Sequence, residues 1–243
     1  MTAPQSTPVA LITGGSQGLG LELVKALAGQ GWTVITDSRN EGLLVESLAA
    51  IEHTQDGSVT GIAGDIGDSA HRSALVAAAT SAGRLDLLVH NASTLGPTPL
   101  RPLQSLRTDE LLAAITTNVG APHALTTALL PLLTGSGGAL LSMSSDAAIE
   151  HYQGWGAYGA SKAALDHLIL TFAAENPAIS GYAIDPGDMR TQMHQDAFAG
   201  QDISDRPLPA VVIPRLLALL AQRPASGRYR AADFAPTEVG ATS

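Results

Sequence analysis

From residue 8 to residue 187 the chain repeats one pattern: a short apolar run, then a longer segment with apolar residues at helical spacing. The apolar runs are PVALIT (8–13), WTVIT (32–36), SVTGIAGD (58–65), LDLLVHNA (85–92), GALLSMSS (138–145) and SGYAIDPG (180–187). Strand and helix in alternation predict an α/β protein, a doubly wound parallel sheet of about seven strands with helices on both faces. Continuously apolar strands fit such a sheet, because both of their faces are covered. The chain has no internal repeat and no linker. It reads as one domain over residues 1–243, with a core at about 8–230, flexible termini and a frayed tail after Pro236. The segments TLGPTPLRPL (94–103) and GQDISDRPLPAVV (200–212) read as surface loops, the first beside a site.

Composition narrows the function classes. Hydrophobic residues are 45% and charged residues 14%, a globular balance. The 13 basic and 22 acidic residues give a net charge of −9, which argues against nucleic acid or an anionic membrane as partner. The absence of cysteine excludes disulfides and thiolate metal sites. None of the seven histidines has H-x-x-x-H or H-E-x-x-H spacing, so no metal is expected. MTAPQSTP at the N-terminus has neither a basic region nor an apolar run, and no apolar stretch is long enough to span a membrane. The expectation is a soluble cytoplasmic protein.

Two short motifs carry chemistry. TGGSQGLG (13–20) joins the first strand to the first helix. Gly14, Gly18 and Gly20 there let backbone approach a pyrophosphate at the positive end of a helix, as in Rossmann-like dinucleotide sites. In AYGASKAAL (157–165), Tyr158 and Lys162 are four apart, so a helix puts a phenol and an ammonium on one face. A surface Tyr–Lys pair would have the same spacing, and the surrounding motifs decide between the two.

Those motifs resemble the short-chain dehydrogenases/reductases of the compact, single-domain type. The resemblance covers residues 8 to 230 and rests on motifs in the family's order: T-G-x-x-x-G-x-G, HNAS (90–93) for the usual Asn-Asn-Ala-Gly, Asn118, SMSS (142–145), YGASK thirteen residues after Ser145, and DPG (185–187). His90 and Ser93 depart from the pattern, and SGRYRAADF near the end lacks the usual Asp-Gly-Gly.

The resemblance implies hydride transfer between a nicotinamide cofactor and a carbonyl/alcohol pair. Tyr158 would be the acid/base. Free tyrosine has a pKa of about 10, and lowering it by about 2–3 units takes roughly 3–4 kcal/mol, for which the Lys162 ammonium is the expected source. Lys162 would also hold the nicotinamide ribose. Ser145 would bind the substrate oxygen, and Asn118 would anchor a proton-relay water. Cofactor contacts would come from Gly14, Ser16, Gln17, Gly18, Leu19, Gly20, Asp65, Ile66, Asn91, Ala92, Pro186, Gly187, Met189 and Thr191, with Tyr158 and Lys162. Ser145, His151, Trp155, Asp188 and Met193 would line the substrate pocket. The alternative is a non-catalytic dinucleotide-sensing or scaffold protein, which has no need of Asn118, Ser145, Tyr158 and Lys162. A homodimer or homotetramer is expected through helices around 109–133 and 157–173.

The second strand ends VITDSRN (34–40), and its last residue faces the adenine ribose. An acid there accepts from the 2′-hydroxyl of NAD and repels a 2′-phosphate. In the family's register Ser38 takes that position and Arg39 follows, so NADP(H) is the preferred cofactor and NAD(H) the alternative. A one-residue slip would instead make Asp37 the NAD-selecting acid. Ser16 stands where many NADP enzymes of the family carry a second basic residue.

Overall fold

The computed structural model describes residues 7–51 and 57–235, and the expected flexible termini and frayed tail lie outside the described residues. The strands are β1 Val9–Ile12, β2 Thr33–Ser38, β3 Ser58–Ala63, β4 Leu87–His90, β5 Ala139–Met143, β6 Ser180–Asp185 and β7 Gly227–Arg230. They form one parallel sheet in the order β3-β2-β1-β4-β5-β6-β7. The helices are α1 Gly18–Gly29, α2 Glu41–Ala49, α3 Ser69–Ser81, α4 Thr108–Ile115, α5 Ala121–Ser136, α6 Gly156–Glu175, α7 Gln192–Ala197 and α8 Ile213–Gln222. The winding direction reverses between β1 and β4. Ligands bind such sheets at that switch point, beyond the carboxyl ends of the strands.

Strand alternation explains the two helix layers. Ala10 and Ile12 face one side and pack with Leu23 and Leu27 of α1 and Leu216 and Leu219 of α8. Val9 and Leu11 face the other and pack with Leu75 of α3, Leu125 and Leu129 of α5, and Leu165 and Ile169 of α6. Each such buried Leu or Ile contributes about 1.5–3 kcal/mol.

Two sequence expectations need correction. Most strands end earlier than predicted, because the residues after the ladder turn away to shape the cleft. Asn91 and Ala92, for example, donate their backbone N–H groups to Thr13 Oγ1 at 3.1 and 3.0 Å. β3 is not covered on both faces: it is an edge strand, and Ser58, Thr60, Gly61 and Ala63 are exposed. No helix among the described residues is long and apolar enough to cross a membrane.

Candidate active site

The chain leaves β1 through the glycine turn. Gly18 opens α1 with φ = 59°, a left-handed backbone that glycine adopts freely. A Cβ on it would meet only Thr191, 3.6 Å away across the cleft. Gln17, at the N-cap, makes no side-chain cap, so the first amides of α1 are left for an anion. Gly20 holds the turn from beneath, where a Cβ would come within 2.3 Å of the Gly14 carbonyl oxygen.

The turn forms one wall of a cleft of about 530 Å³ at the switch point. Gly14, Ser16, Gln17, Gly18 and Leu19 line it from the turn, Ser38, Arg39, Asp65 and Ile66 from beyond β2 and β3, and Asn91 and Ala92 from beyond β4. Pro186, Met189 and Thr191 close it beyond β6, and Tyr158 and Lys162 enter from α6. Gly20 and Gly187 are not in its walls. The sequence reading missed Ser93, Thr94, Arg190 and Gln192, which do line it. Arg190 stands between the predicted Met189 and Thr191, so adjacency was the available signal.

At the end of β2 the structure separates Asp37 from its neighbours. Asp37 is 3% exposed and points inward. Its Oδ1 accepts from Gly14 N at 2.7 Å, and its Oδ2 lies 2.9 Å from His71 Nε2 on α3. Burial raises its pKa, against the bonds to Gly14 and His71. Both carboxylate oxygens are therefore engaged by protein groups, although Asp37 also lines the cleft. Ser38 Oγ accepts from Ser16 Oγ at 2.8 Å. Arg39 is exposed and has no acid partner among the described residues. The residues fit a nicotinamide dinucleotide carrying a 2′-phosphate: an uncapped helix start behind a glycine turn, and an exposed guanidinium where the second strand ends.

The predicted catalytic residues meet deeper in the fold. Asn118 is buried in a π-helical segment, Thr116–Gly120, that joins α4 to α5; such segments recur at functional sites. Its Nδ2 donates to Thr94 O and Ser161 Oγ, both at 2.8 Å, and its Oδ1 accepts from Thr94 N at 2.8 Å. Ser145 follows β5; its Oγ donates to Asp146 Oδ1 at 3.0 Å and accepts from Ala147 N at 3.2 Å, capping a short turn. α6 comes close to that turn because residue 159 is glycine: a Cβ there would lie 2.6 Å from the Ala147 carbonyl oxygen. The approach brings Tyr158 to Ser145.

Electrostatics differ from expectation at one point. Burial raises the Tyr158 pKa; a hydrogen bond to Ser145 opposes the rise, and Asp146, Asp185 and Asp166 add to it. The net shift is upward despite Lys162, whose ammonium is engaged by a backbone carbonyl and sits over the face of the Tyr158 ring. Lys162 Nζ donates to Met143 O at 2.7 Å and lies 5.4 Å from the Tyr158 ring centroid. Burial pushes Lys162 itself down to about 8, with Asp166 acting in the opposite sense.

Of the predicted substrate residues, Met193 lines the cleft, whereas Ser145, His151, Trp155 and Asp188 are not in its walls. Trp155 stacks edge-on against Tyr158, with ring centroids 5.6 Å apart, and belongs to an apolar group with Leu95, Leu100 and Met193. His151 is exposed, and Asp188 pairs with Arg206 at 3.5 Å.

Comparison with known proteins agrees with this geometry. The family described as short chain dehydrogenase matches residues 8–202. The uncharacterized oxidoreductase YciK of Escherichia coli K12 is 32% identical over 217 residues, 87% of this chain and 85% of YciK. The benzil reductase ((S)-benzoin forming) of Saccharomyces cerevisiae is 35% identical over 197 residues, 77% of this chain and 74% of the yeast protein. A short chain dehydrogenase of Escherichia coli CFT073, solved in complex with NADPH, superposes with a TM-score of 0.83 at 31% identity, covering 92% of this chain and 96% of that one. The glycine turn, the switch-point cleft and these matches lead to one conclusion: the chain belongs to the short-chain dehydrogenase/reductase family of oxidoreductases.

Proposed function

We propose that the protein reduces an apolar carbonyl compound to its alcohol with NADPH. The observation that carries this reading is that Tyr158 and Lys162 open into the same cleft as Arg39, which has no acid partner among the described residues. NADPH, when bound, supplies the hydride. The turn at Gly14–Leu19 would hold its pyrophosphate, Arg39 its 2′-phosphate, and Lys162 its nicotinamide ribose.

The protein's own groups do the rest. Tyr158 holds the proton that goes to the carbonyl oxygen, and its raised pKa keeps the phenol protonated at neutral pH, as a donor must be. Ser145 Oγ orients that oxygen. Lys162, with a pKa of about 8, is mostly an ammonium at neutral pH and offsets the charge left on the tyrosine oxygen. Asn118 fixes Thr94 against Ser161 beside the cleft, and by the family resemblance it would anchor the relay water. Met193, in the cleft wall and backed by the apolar group of Leu95, Leu100 and Trp155, supports an apolar substrate, and the benzil reductase relative makes aromatic diketones the first compounds to try.

The test follows consumption of NADPH and of NADH with a panel of aldehydes, ketones and diketones that includes benzil. A charge-assisted Arg39–phosphate contact is worth about 1.5–3 kcal/mol, so kcat/KM should favour NADPH by roughly 10- to 150-fold. Arg39→Ala should lose most of that preference. A wild type that prefers NADH would overturn the cofactor assignment, and no turnover across the panel would favour a sensing role.

A further inference from the structure

Arg228 lies in β7, the last strand, 83 residues from Ser145, and yet its Nη2 donates to the Ser145 carbonyl oxygen at 2.8 Å. Its Nε donates to Asp166 Oδ2 at 3.1 Å, and Nη2 stands 3.8 Å from Asp185 Oδ2 at the end of β6. Asp166 is one helical turn beyond Lys162 on α6, and its Oδ2 also accepts from Ser144 Oγ at 2.6 Å. Lys162 Nζ holds Met143 O. Three consecutive residues, Met143, Ser144 and Ser145, are thus each gripped by a charged side chain from another element.

The grip falls where the sheet stops helping. The β5–β6 register ends at Met143↔Ile184, and Ser144 N makes the last bond, to Ile184 O. Past it, the Ser145 carbonyl is held by the Ala148 amide of its own turn, at 3.1 Å, by a long contact from Ser144 Oγ at 3.4 Å, and most closely by Arg228. A hydroxyl that must meet both Tyr158 and a substrate oxygen tolerates little displacement; an error of about 1 Å costs on the order of 10²-fold in rate.

We propose that Arg228 is a positioning residue: held by Asp166 and Asp185, its guanidinium fixes the Ser145 carbonyl and thereby aims the Ser145 hydroxyl. This rests on the reading of Ser145 as the group that binds the substrate oxygen. A guanidinium suits the task because it donates in two directions from one plane, which an ammonium cannot reproduce.

The experiment measures Arg228→Met and Arg228→Lys in the wild-type and Ser145→Ala backgrounds. NADPH is the cofactor, benzil is the carbonyl probe if it heads the panel above and otherwise the carbonyl that does, and NADPH affinity is read by fluorescence. In the wild-type background Arg228→Met should lower kcat about tenfold or more while NADPH affinity stays within about twofold, and Arg228→Lys should fall between. In the Ser145→Ala background the same changes should cost less than about twofold, because an effect that acts through Ser145 is already lost. Equal losses in both backgrounds, an unchanged kcat, or a loss confined to NADPH binding would overturn the proposal. If Arg228→Met does not fold, Arg228→Lys in the two backgrounds decides the same question. Wild-type turnover by Ser145→Ala alone would instead refute the role given to Ser145.

Discussion

At the scale of single residues, neighbours in sequence have opposite fates. Asp37 and Arg39 are two positions apart and both line the cleft, yet one is buried against Gly14 and His71 and the other is exposed. The sequence suggests a register with Ser38 in the acid's place. What it could not show is what engages Asp37: its partner His71 is 34 positions away. His90, noted only as a departure from the family pattern, is fully buried with Nε2 2.7 Å from Thr126 Oγ1. Burial first, and the Lys162 charge second, hold its pKa down to about 3. The unfolded value is about 6.5, so between the two the unfolded chain binds a proton that the folded chain refuses. The stability tied to this group is complete above about pH 6.5 and is lost as pH falls toward 3. His90→Asn should therefore flatten the acid side: between pH 7.5 and 5, the Tm of the wild type should fall further than that of the variant. Parallel slopes would contradict the assignment.

Between elements, the Asp37–His71 contact ties the glycine turn, β2 and α3 together. Gly64, just after β3, makes room for it: a Cβ there would lie 2.2 Å from His71 Nδ1. Gly64→Ala should push His71 off Asp37, cost about 1–3 kcal/mol in chemical denaturation, and weaken NADPH binding through the loosened turn. Gly29→Ala is the control, since nothing lies within 4 Å of a Cβ at that position. A loss shared by both variants, or absent from Gly64→Ala, would rule out the steric account. Elements were legible to differing degrees. α8, Ile213–Gln222, is legible in its own residues because its amphipathic pattern is strong and a proline stands in its first turn. Strand ends were less legible, because where a ladder stops depends on the partner strand and not on local composition. The exposure of β3 followed from its edge position, which no local pattern in its own sequence reveals.

Across the whole molecule, the alternation of strand and helix implied a doubly wound sheet, and the strand order puts its switch point under the glycine turn. The contiguous motifs were legible because each holds its chemistry within a few residues: Gly14–Gly20, Tyr158–Lys162, Ser145. Two things were not. Contacts between distant positions, such as Arg228 with Ser145, have no local signature. The direction of the Tyr158 shift also escaped, because it follows first from burial depth, which no local pattern shows. The central claim is that this cleft delivers a proton from Tyr158 as hydride arrives from NADPH. It is tested most directly by Tyr158→Phe, with carbonyl-dependent NADPH oxidation and NADPH affinity measured side by side. Turnover should fall by about 10²-fold or more, as for removal of a general acid, with NADPH affinity within about twofold of wild type. Wild-type turnover in the variant would contradict the account.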